Sequence, residues 1–319
     1  MADAVPNKWT ADKIPTQKGK KVVITGANSG IGFVTALELA RHGADVVLAC
    51  RSESKGQEAV TNIQNKLKGT TNAGHVEARK LDVSSLESVK AFADGIRLTH
   101  DRIDILINNA GIMAVPYAET VDGIESQFAT NHLGHFALVG RVLDLLKASH
   151  YARIVSVSSL LHQDAKVDVN AVVTSQKNYD PMAVYANSKA YNLLFTFELN
   201  RRFQQNGIAN VVATAAHPGV TATNLAATML DNFGFFKRLL FKIIFMMPFI
   251  QTPEFGALPT LYASTATNVK PGDYFGPRSL GGVCGYPTKE EPDVGATSME
   301  NARALWLESE RLTGFTFAF

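Results

Sequence analysis

A tyrosine and a lysine lie four positions apart in the segment AVYANSKAYN, at Tyr185 and Lys189. Positions i and i+4 share one face of a helix, so both side chains would point into the same space if this segment is helical. Asp180 and Pro181 precede the pair and are typical of a helix start. An ordinary amphipathic helix in which the two residues are neighbours by chance is the alternative.

The spacing of this pair would allow acid–base chemistry. A lysine ammonium held ~4 Å from a phenol, at an effective dielectric of about 20, contributes about 4 kcal/mol, which corresponds to roughly three pKa units before desolvation is subtracted. A phenol whose pKa is shifted towards neutrality can donate a proton to an oxygen atom or remove one. The pair therefore predicts that Tyr185 acts as a general acid and base.

A glycine-rich segment, TGANSGIG at residues 25–32, follows an apolar strand pattern and continues directly into a helical pattern. Gly26 allows a tight turn, while Gly30 and Gly32 let the backbone approach a pyrophosphate closely. The free N–H groups at the helix N-terminus attract its negative charge. The alternative is a tight strand-to-helix turn that binds nothing, but a strand before and a helix after the glycines favour a phosphate site.

Apolar runs rich in β-branched residues alternate with helix-length amphipathic segments, and these elements must position the two candidate sites. The runs are KVVITG, ADVVLACR, EARKLDV, IDILINNAG, ARIVSVSS and NVVATAAHPG. Such alternation predicts a single-domain α/β fold of the Rossmann type, with a doubly wound parallel sheet and helices on both faces. Ligands bind such sheets beyond the carboxyl ends of the strands, and both candidate sites belong there.

The domain organisation follows from the same pattern. No linker or repeat interrupts the chain, so we expect residues 1–319 to form one domain. Residues 18–160 would be mainly the cofactor-binding half. Residues 161–319 would contain the catalytic helix, a substrate flap after the sixth strand and a C-terminal segment.

Composition excludes several classes of protein. The 319 residues are 46% apolar and have a formal net charge of +2, so no electrostatic footprint for nucleic acid is present. Two cysteines, Cys50 and Cys284, are too few for a disulfide framework. The first residues, MADAVPNKWTADKIP, contain no apolar core of the kind a secretory signal requires. We therefore expect a cytoplasmic protein. His132 and His135 have no HExxH pattern or carboxylate cluster around them, so we expect no metal.

The glycine spacing reads TGxxxGxG rather than GxGxxG, and together with Tyr185 and Lys189 it resembles the short-chain dehydrogenase/reductase family. Further matches follow in the family's order: NNAG at 108–111, Asn131 in NHLGHF, the serine pair Ser158 and Ser159, and Pro218 with Gly219. The resemblance extends to the branch of retinol dehydrogenase-like proteins and WW-domain oxidoreductases. The segments WTADKIP, ACRS, GALPTLYASTA and ALWLESERLTG carry it over nearly the whole chain.

The resemblance implies four catalytic residues. Tyr185 would be the general acid/base, and an oxidised nicotinamide would lower its pKa further. Lys189 would also hydrogen-bond the nicotinamide ribose. Asn131 would provide a water-mediated link in a proton relay, although an amide that packs a helix is the alternative. Ser159 would orient the substrate oxygen, but the sequence alone leaves Ser158 open.

Cofactor choice is indicated at the end of the second strand. Here the residues are Cys50, Arg51 and Ser52, so no acid is available for the ribose 2′-hydroxyl of NAD. The planar guanidinium of Arg51 suits the 2′-phosphate of NADP, unless Arg51 is only a solvated surface residue. We therefore expect NADP(H), preferred over NAD(H).

The resemblance also implies the remaining cofactor contacts. Asp82 would contact the adenine, or cap the following helix, or do both. Asn108 would steady the central strands near the cofactor. Thr223 would hold the carboxamide, with Thr221 as the fallback. The full set is Gly26, Asn28, Ser29, Gly30, Ile31, Gly32, Arg51, Asp82, Val83, Asn108, Ala110, Gly111, Tyr185, Lys189, Pro218, Gly219, Val220 and Thr223.

The most apolar segment of the chain is GFFKRLLFKIIFMMPFI, residues 234–250. Lys237, Arg238, Lys242 and Pro248 interrupt it, whereas a membrane span needs ~20 largely apolar residues. A core helix, a flap over a lipophilic pocket and a basic helix on a membrane surface are the alternatives. We favour the flap, with peripheral membrane association through 234–250 left open.

The leading hypothesis is an NADP(H)-dependent oxidoreductase that interconverts a lipophilic aldehyde or ketone with its alcohol. A carbon–carbon double-bond reductase, as in the similar protochlorophyllide reductases, is an alternative. A nucleotide-sensing protein that has lost chemistry is another, although it would need no acid/base pair. By analogy with the family, two or four copies of the chain would pair through the helices that contain Asn131 and Tyr185.

Overall fold

The computed structural model describes residues 4–169, 172, 174–222 and 250–319. Within these residues the chain forms an eight-stranded sheet in the order β3-β2-β1-β4-β5-β6-β7-β8. The first seven strands run parallel, and β8 is antiparallel to β7 at the edge. The strands are β1 (Lys21–Thr25), β2 (Asp45–Cys50), β3 (Val76–Lys80), β4 (Ile105–Asn108), β5 (Ala152–Val157), β6 (Val211–Ala216), β7 (Tyr274–Ser279) and β8 (Cys284–Glu290).

Helices cover both faces of this sheet, which confirms the expected α/β fold. They are α1 (Gly30–Arg41), α2 (Glu53–Lys66), α3 (Leu86–Arg97), α4 (Ser126–Phe128), α5 (Gly134–Arg141), α6 (Leu143–Lys147), α7 (Pro181–Gln205), α8 (Pro253–Thr265) and α9 (Met299–Thr313). A single turn of π-helix, Ala129–Leu133, joins α4 to α5. None of the helices among these residues combines the length and hydropathy needed to cross a membrane.

Alternate residues of β1 supply the two halves of the core. Val22 and Ile24 pack with α1, α2 and α8 on one face, whereas Val23 packs with α3, α5 and α7 on the other. Because successive side chains of a strand point to opposite faces, a strand covered on both sides must be apolar throughout. Fully burying each such side chain contributes roughly 1.5–3 kcal/mol. This core holds the carboxyl ends of β1, β4 and β5 at one edge of the sheet.

Six strands were predicted, and the structure adds β7 and β8. Both contain glycine and proline, which weaken the strand pattern in the sequence. Leu280, Gly281 and Gly282 connect them with φ angles of 52°, 64° and 87°. A Gly-Gly pair between two short strands is a hairpin signal that could have identified these strands.

Two expectations lie outside the described residues. These are the cofactor contact at Thr223 and the flap, or membrane-contacting segment, at 234–250, of which only Ile250 is described.

Candidate active site

Helix α7 places Tyr185 and Lys189 on one face, as predicted. The Asp180 carboxylate caps this helix by accepting hydrogen bonds from the Met182 and Ala183 N–H groups, both at 2.9 Å. Both candidate side chains are 4% exposed, and the Lys189 Nζ lies 5.6 Å from the centroid of the Tyr185 ring. The Lys189 Nζ donates to the Val157 carbonyl at the end of β5, at 3.2 Å.

The pKa of Tyr185 differs in direction from the expectation. Burial raises the pKa of the Tyr185 phenol to about 12, and a hydrogen bond with Ser159 offsets only part of this effect. Burial also lowers the pKa of Lys189 to about 8. In the cofactor-free chain, desolvation therefore outweighs the lowering of the phenol's pKa that was expected from Lys189. Both side chains are almost fully buried, so desolvation penalises both charged forms.

The two serines at the end of β5 have different partners. The Ser158 hydroxyl donates to the Lys189 carbonyl at 2.8 Å and thereby fastens α7 to the sheet. The Ser159 hydroxyl accepts from the Leu161 N–H at 3.2 Å, and its influence lowers the pKa of the Tyr185 phenol. Ser158 lines the cleft described below, whereas Ser159 acts on the pKa of the phenol, so the assignment of Ser159 to the substrate oxygen stays a prediction.

Asn131 lies in the π turn, and its side chain connects Ile112 with Ser188 through hydrogen bonds. Its Oδ1 accepts from the Ile112 N–H at 2.8 Å, while its Nδ2 donates to the Ile112 carbonyl and to the Ser188 Oγ, both at 2.9 Å. These bonds use both amide hydrogens, so the side chain joins the loop after β4 to α7. The side chain therefore has no hydrogen left to donate to a relay water, although its oxygen could still accept one. A π turn within a helix is frequent at functional sites.

The N-terminus of α1 is uncapped by the chain itself. Ser29 is the N-cap residue but makes no side-chain cap bond, and the first turn contains no acidic residue. Helices α2, α3, α7 and α9 are all capped by a side chain of their own N-cap residue. Because the first N–H groups of a helix need acceptors, the open end of α1 suits an anion.

Two glycines, Gly26 and Gly32, allow the turn after β1 to pack closely against the loop after β4. A Cβ on Gly32 would lie 2.5 Å from the Asn109 Nδ2 and 2.8 Å from the Gly26 carbonyl oxygen. Gly26 itself has φ +65°, and a Cβ there would lie 2.9 Å from the Ala110 Cα. A side chain at either position would displace the turn.

Arg51 and Asp82 lie at the ends of β2 and β3. Arg51 is exposed and, within the part of the chain that the structure describes, pairs with no carboxylate. The Asp82 Oδ1 accepts from the Ser84 N–H at 3.0 Å and from its hydroxyl at 2.6 Å, whereas Ser85 caps α3. Asp82 therefore orders the loop before α3 without capping this helix, and it borders the cleft described next, while the adenine contact stays a prediction.

Most of the expected cofactor contacts line one cleft of about 550 Å³. They are Gly26, Asn28, Ser29, Gly30, Ile31, Gly32, Arg51, Asp82, Val83, Ala110, Gly111, Tyr185, Lys189 and Pro218. Gly219 and Val220 follow Pro218 but do not line the cleft, and the Val220 N–H is bonded to the Val283 carbonyl at 2.9 Å. The Thr221 hydroxyl, the fallback for Thr223, donates to the Pro218 carbonyl at 3.0 Å.

The asparagine that steadies the central strands is Asn109 rather than Asn108. The Asn109 Nδ2 donates to the Thr25 carbonyl at 2.8 Å, whereas the buried amide of Asn108 has no hydrogen-bond partner among the described residues. The expectation chose the wrong member of NNAG, because strand alternation turns the two side chains to different surroundings. Thr25 and Ser188 were not predicted from the sequence as site residues. For Thr25, its position as a hydroxyl residue at the end of β1 was a signal that could have identified it.

The cleft fits a nicotinamide dinucleotide. The open N-terminus of α1 and the close-packed glycines suit its diphosphate, Arg51 and Asp82 border one end, and Tyr185 with Lys189 borders the other. Among the described residues, no group of three or more His, Cys, Asp or Glu side chains is placed to hold a metal ion.

The sequence profile of the family described as short chain dehydrogenase matches residues 20–232. This chain belongs to the short-chain dehydrogenase family. It is 41% identical over 314 residues to retinol dehydrogenase 13 of Homo sapiens, covering 98% of this chain and 88% of that protein. It is 38% identical over 302 residues to the WW domain-containing oxidoreductase of Gallus gallus, covering 92% of this chain and 68% of that protein. The expected retinol dehydrogenase-like branch is therefore confirmed, and this short-chain dehydrogenase is an oxidoreductase.

Solved structures agree with this assignment. An uncharacterised protein from Mycobacterium paratuberculosis is 41% identical, with a TM-score of 0.79, covering 98% of this chain and 100% of that one. A protein from Beutenbergia cavernae, described as an NAD(P)-dependent gluconate 5-dehydrogenase with NADP bound at low occupancy, is 25% identical with a TM-score of 0.61. That match covers 81% of this chain and 95% of the other. The family and the structure with bound NADP support a nicotinamide cofactor for this short-chain dehydrogenase.

Proposed function

We propose that this short-chain dehydrogenase is an NADP(H)-dependent oxidoreductase that interconverts a lipophilic aldehyde or ketone with its alcohol, with Tyr185 as the general acid/base. One observation carries the proposal: a single cleft joins the uncapped end of α1 to the buried pair Tyr185 and Lys189. A diphosphate held at α1 and a carbonyl held at Tyr185 would therefore belong to one reaction site.

Proton transfer is the task proposed for this chain's own residues. The bound cofactor supplies the hydride that reaches the carbonyl carbon. Tyr185 donates its phenolic proton to the carbonyl oxygen, Ser159 orients that oxygen, and Lys189 hydrogen-bonds the cofactor ribose and supports the developing phenolate with its charge. A phenol whose pKa is raised to about 12 is protonated at neutral pH in the cofactor-free protein and can therefore serve as the proton donor.

The substrate class rests on the lining of the cleft and on the relatives. Ile112, Met113 and Val115 add apolar side chains to the cleft beyond Gly111. Apolar lining with a few polar groups at the reacting end is typical of sites for small lipophilic molecules. The relatives named retinol dehydrogenases point to the same class.

The acid/base proposal is tested by following the loss of reduced-nicotinamide absorbance with NADPH over a panel of lipophilic aldehydes and ketones. Tyr185→Phe removes one hydroxyl from a buried site and should lower kcat by at least about 10³-fold while the Kd for NADPH changes little. Tyr191→Phe is the matched control, because Tyr191 is a buried tyrosine of the same helix that does not line the cleft. Full activity of Tyr185→Phe would refute the proposal.

Cofactor preference is tested separately at Arg51. Losing a charge-assisted contact to a phosphate costs about 1.5–3 kcal/mol, so Arg51→Ala should weaken NADPH binding by about 10- to 100-fold. The Kd for NADH should stay within about twofold, because that cofactor has no 2′-phosphate. An equal loss of affinity for both cofactors would assign Arg51 a general structural role instead.

A further inference from the structure

His135 is a buried side chain of α5 that the proposed reaction does not use. It is 2% exposed, and both of its ring nitrogens have partners. The Nε2 lies 2.9 Å from the Thr25 Oγ1 at the end of β1, and the Nδ1 lies 3.2 Å from the main-chain carbonyl of Asn131.

Hydrogen counting on Thr25 assigns the tautomer of this ring. The Thr25 Oγ1 accepts from the N–H groups of Asn109 and Ala110, both at 2.9 Å, which uses its two lone pairs. Its own hydrogen must then be donated, and the His135 Nε2 at 2.9 Å is a better acceptor than the Ile107 carbonyl at 3.4 Å. The Nε2 is therefore unprotonated, and the Nδ1 carries the hydrogen that is donated to Asn131.

We infer that His135 is a positioning residue which, as its neutral Nδ1-H tautomer, ties the end of β1 and the loop after β4 to the main chain of the π turn at Asn131. It would thereby hold the cofactor side of the cleft and the catalytic helix in one arrangement. The inference about catalysis rests on the proposed function, whereas the tautomer and the contacts do not.

The surroundings of the ring favour its neutral form. Burial lowers the pKa of His135 to about 4, and the charge of Lys189 acts in the same direction, while the Asn131 carbonyl opposes them. Burial lowers the pKa of the neighbouring His132 to about 3, so that ring carries no charge at neutral pH. A protonated Nε2 would face the hydroxyl of Thr25, whose lone pairs are already used.

A continuous set of hydrogen bonds connects His135 to the catalytic pair. The Asn131 side chain donates to the Ser188 Oγ at 2.9 Å, and this hydroxyl donates to the Tyr185 carbonyl at 2.7 Å. Ser188 directly precedes Lys189 in the chain. A shift of the Asn131 main chain would therefore move the turn of α7 that contains Tyr185 and Lys189.

Two substitutions separate the two hydrogen bonds of His135, the one with Thr25 and the one with the Asn131 carbonyl. In His135→Asn, the amide nitrogen can take the place of the Nδ1 and keep the bond to Asn131, but Thr25 loses its acceptor. In His135→Gln, the amide oxygen can reach the place of the Nε2 and keep the bond from Thr25, but Asn131 loses its donor. Each variant therefore removes one hydrogen bond and keeps the other.

Different kinetic effects are expected from the two variants. His135→Gln should lower kcat by about tenfold, the usual effect of losing one buried hydrogen bond, and shift the pH dependence of kcat, with the Kd for NADPH within about twofold. His135→Asn should raise the Kd for NADPH by about tenfold with kcat nearly unchanged, since Asn109 and Ala110 border the cleft. Equal losses in both quantities for both variants, or no loss in either, would overturn the positioning role.

A measurement on the cofactor-free wild type decides the tautomer without any assay. Two-bond ¹H–¹⁵N correlation spectra of the histidine rings should contain an Nδ1-H ring that is absent from the spectrum of His135→Asn and that stays neutral down to pH 5. An Nε2-H ring at this position would overturn the inference. If no carbonyl compound is turned over, the proposed function fails, but the spectra and the NADPH affinities still decide the inference.

Discussion

At the scale of single residues, Tyr185 and Lys189 combine chemical use with a cost in stability. Burial raises the pKa of the phenol to about 12 and lowers that of the amine to about 8, so both charged forms are disfavoured. At pH 7 the amine is still protonated and therefore carries a desolvated charge. Among the described residues no carboxylate forms an ion pair with this amine, and burial is the cause of its lowered pKa.

The free energy of unfolding should record this cost. The unfolded pKa of lysine is about 10.4. Between about pH 8 and 10.4 the unfolded chain binds the proton that the folded chain releases, so the contribution of Lys189 to stability rises with pH in this window. Below about pH 8 the full cost is present. Lys189→Met should therefore stabilise the cofactor-free protein at pH 7 by about 3 kcal/mol and abolish most turnover.

Denaturant unfolding at pH 7 and pH 9.5 checks this prediction. The gain from Lys189→Met should be smaller at the higher pH, where the wild-type amine has lost its charge. The exposed Lys55 in α2 provides the control, because Lys55→Met should change stability by less than about 0.5 kcal/mol. A Lys189→Met protein that is less stable than the wild type at pH 7 would contradict the argument.

At the scale of elements, the cleft depends on how closely α5 packs on the loop after β3. A Cβ on Gly134, the first residue of α5, would overlap the Val83 carbonyl oxygen. Val83 and Asp82 line the cleft, and Asn131 lies in the π turn just before α5. One close helix-to-loop contact thus sets the distance between Asp82 and Val83 on one side of the cleft and the π turn at Asn131 on the other.

Two glycine substitutions distinguish this contact from a general effect of helix propensity. Gly134→Ala should destabilise the protein by about 3 kcal/mol through overpacking and should weaken NADPH binding. Gly95→Ala in α3 should instead stabilise it by about 0.5–1 kcal/mol, because nothing lies within 4 Å of the added Cβ. Thermal unfolding and NADPH titration of both variants measure the two effects. A Gly134→Ala protein that is as stable as Gly95→Ala would show that the loop can move freely.

At the scale of the whole molecule, the C-terminal segment 299–319 covers the outer faces of α5 and α7. Trp306 packs on Phe136 and Phe195, with ring centroids 5.0 and 5.8 Å apart. Phe317 packs on Trp306 at 4.5 Å and on Phe136 at 4.9 Å. Arg202 of α7 lies 4.2 Å from the centroid of the Trp306 ring. Pairing of two chains through the helices that contain Asn131 and Tyr185 would require this segment to move aside.

Removing one ring from this cover should expose the apolar face. Phe317→Ala should lower the free energy of unfolding by about 3–5 kcal/mol, as is usual for a buried phenylalanine. The Phe317→Ala variant should also self-associate more strongly as its concentration rises, which size-exclusion chromatography with multi-angle light scattering measures. Leu307→Ala, at a 62% exposed position of the same helix α9, should do neither. A wild type that already pairs through α5 and α7 would contradict this account.

The sequence by itself determined the local features. Strand and helix periodicity identified β1 to β6, the Asp180–Pro181 start identified α7, and the i, i+4 spacing placed Tyr185 and Lys189 together. Each of these depends on residues close in the chain, where backbone geometry decides the outcome. The predicted cofactor turn at 25–32 likewise follows from adjacent residues, and most of its contacts line the cleft.

Only the tertiary structure decided the partners of these residues. Asn109 rather than Asn108 holds β1, Ser158 fastens α7 to the sheet, and the pKa of Tyr185 rises rather than falls. Hydrogen bonds and burial depend on segments that are distant in the chain, such as Thr25, His135 and Ser188 around Asn131. Desolvation belongs to the assembled core rather than to any short stretch of sequence, and the spacing of Tyr185 and Lys189 therefore could not predict its size.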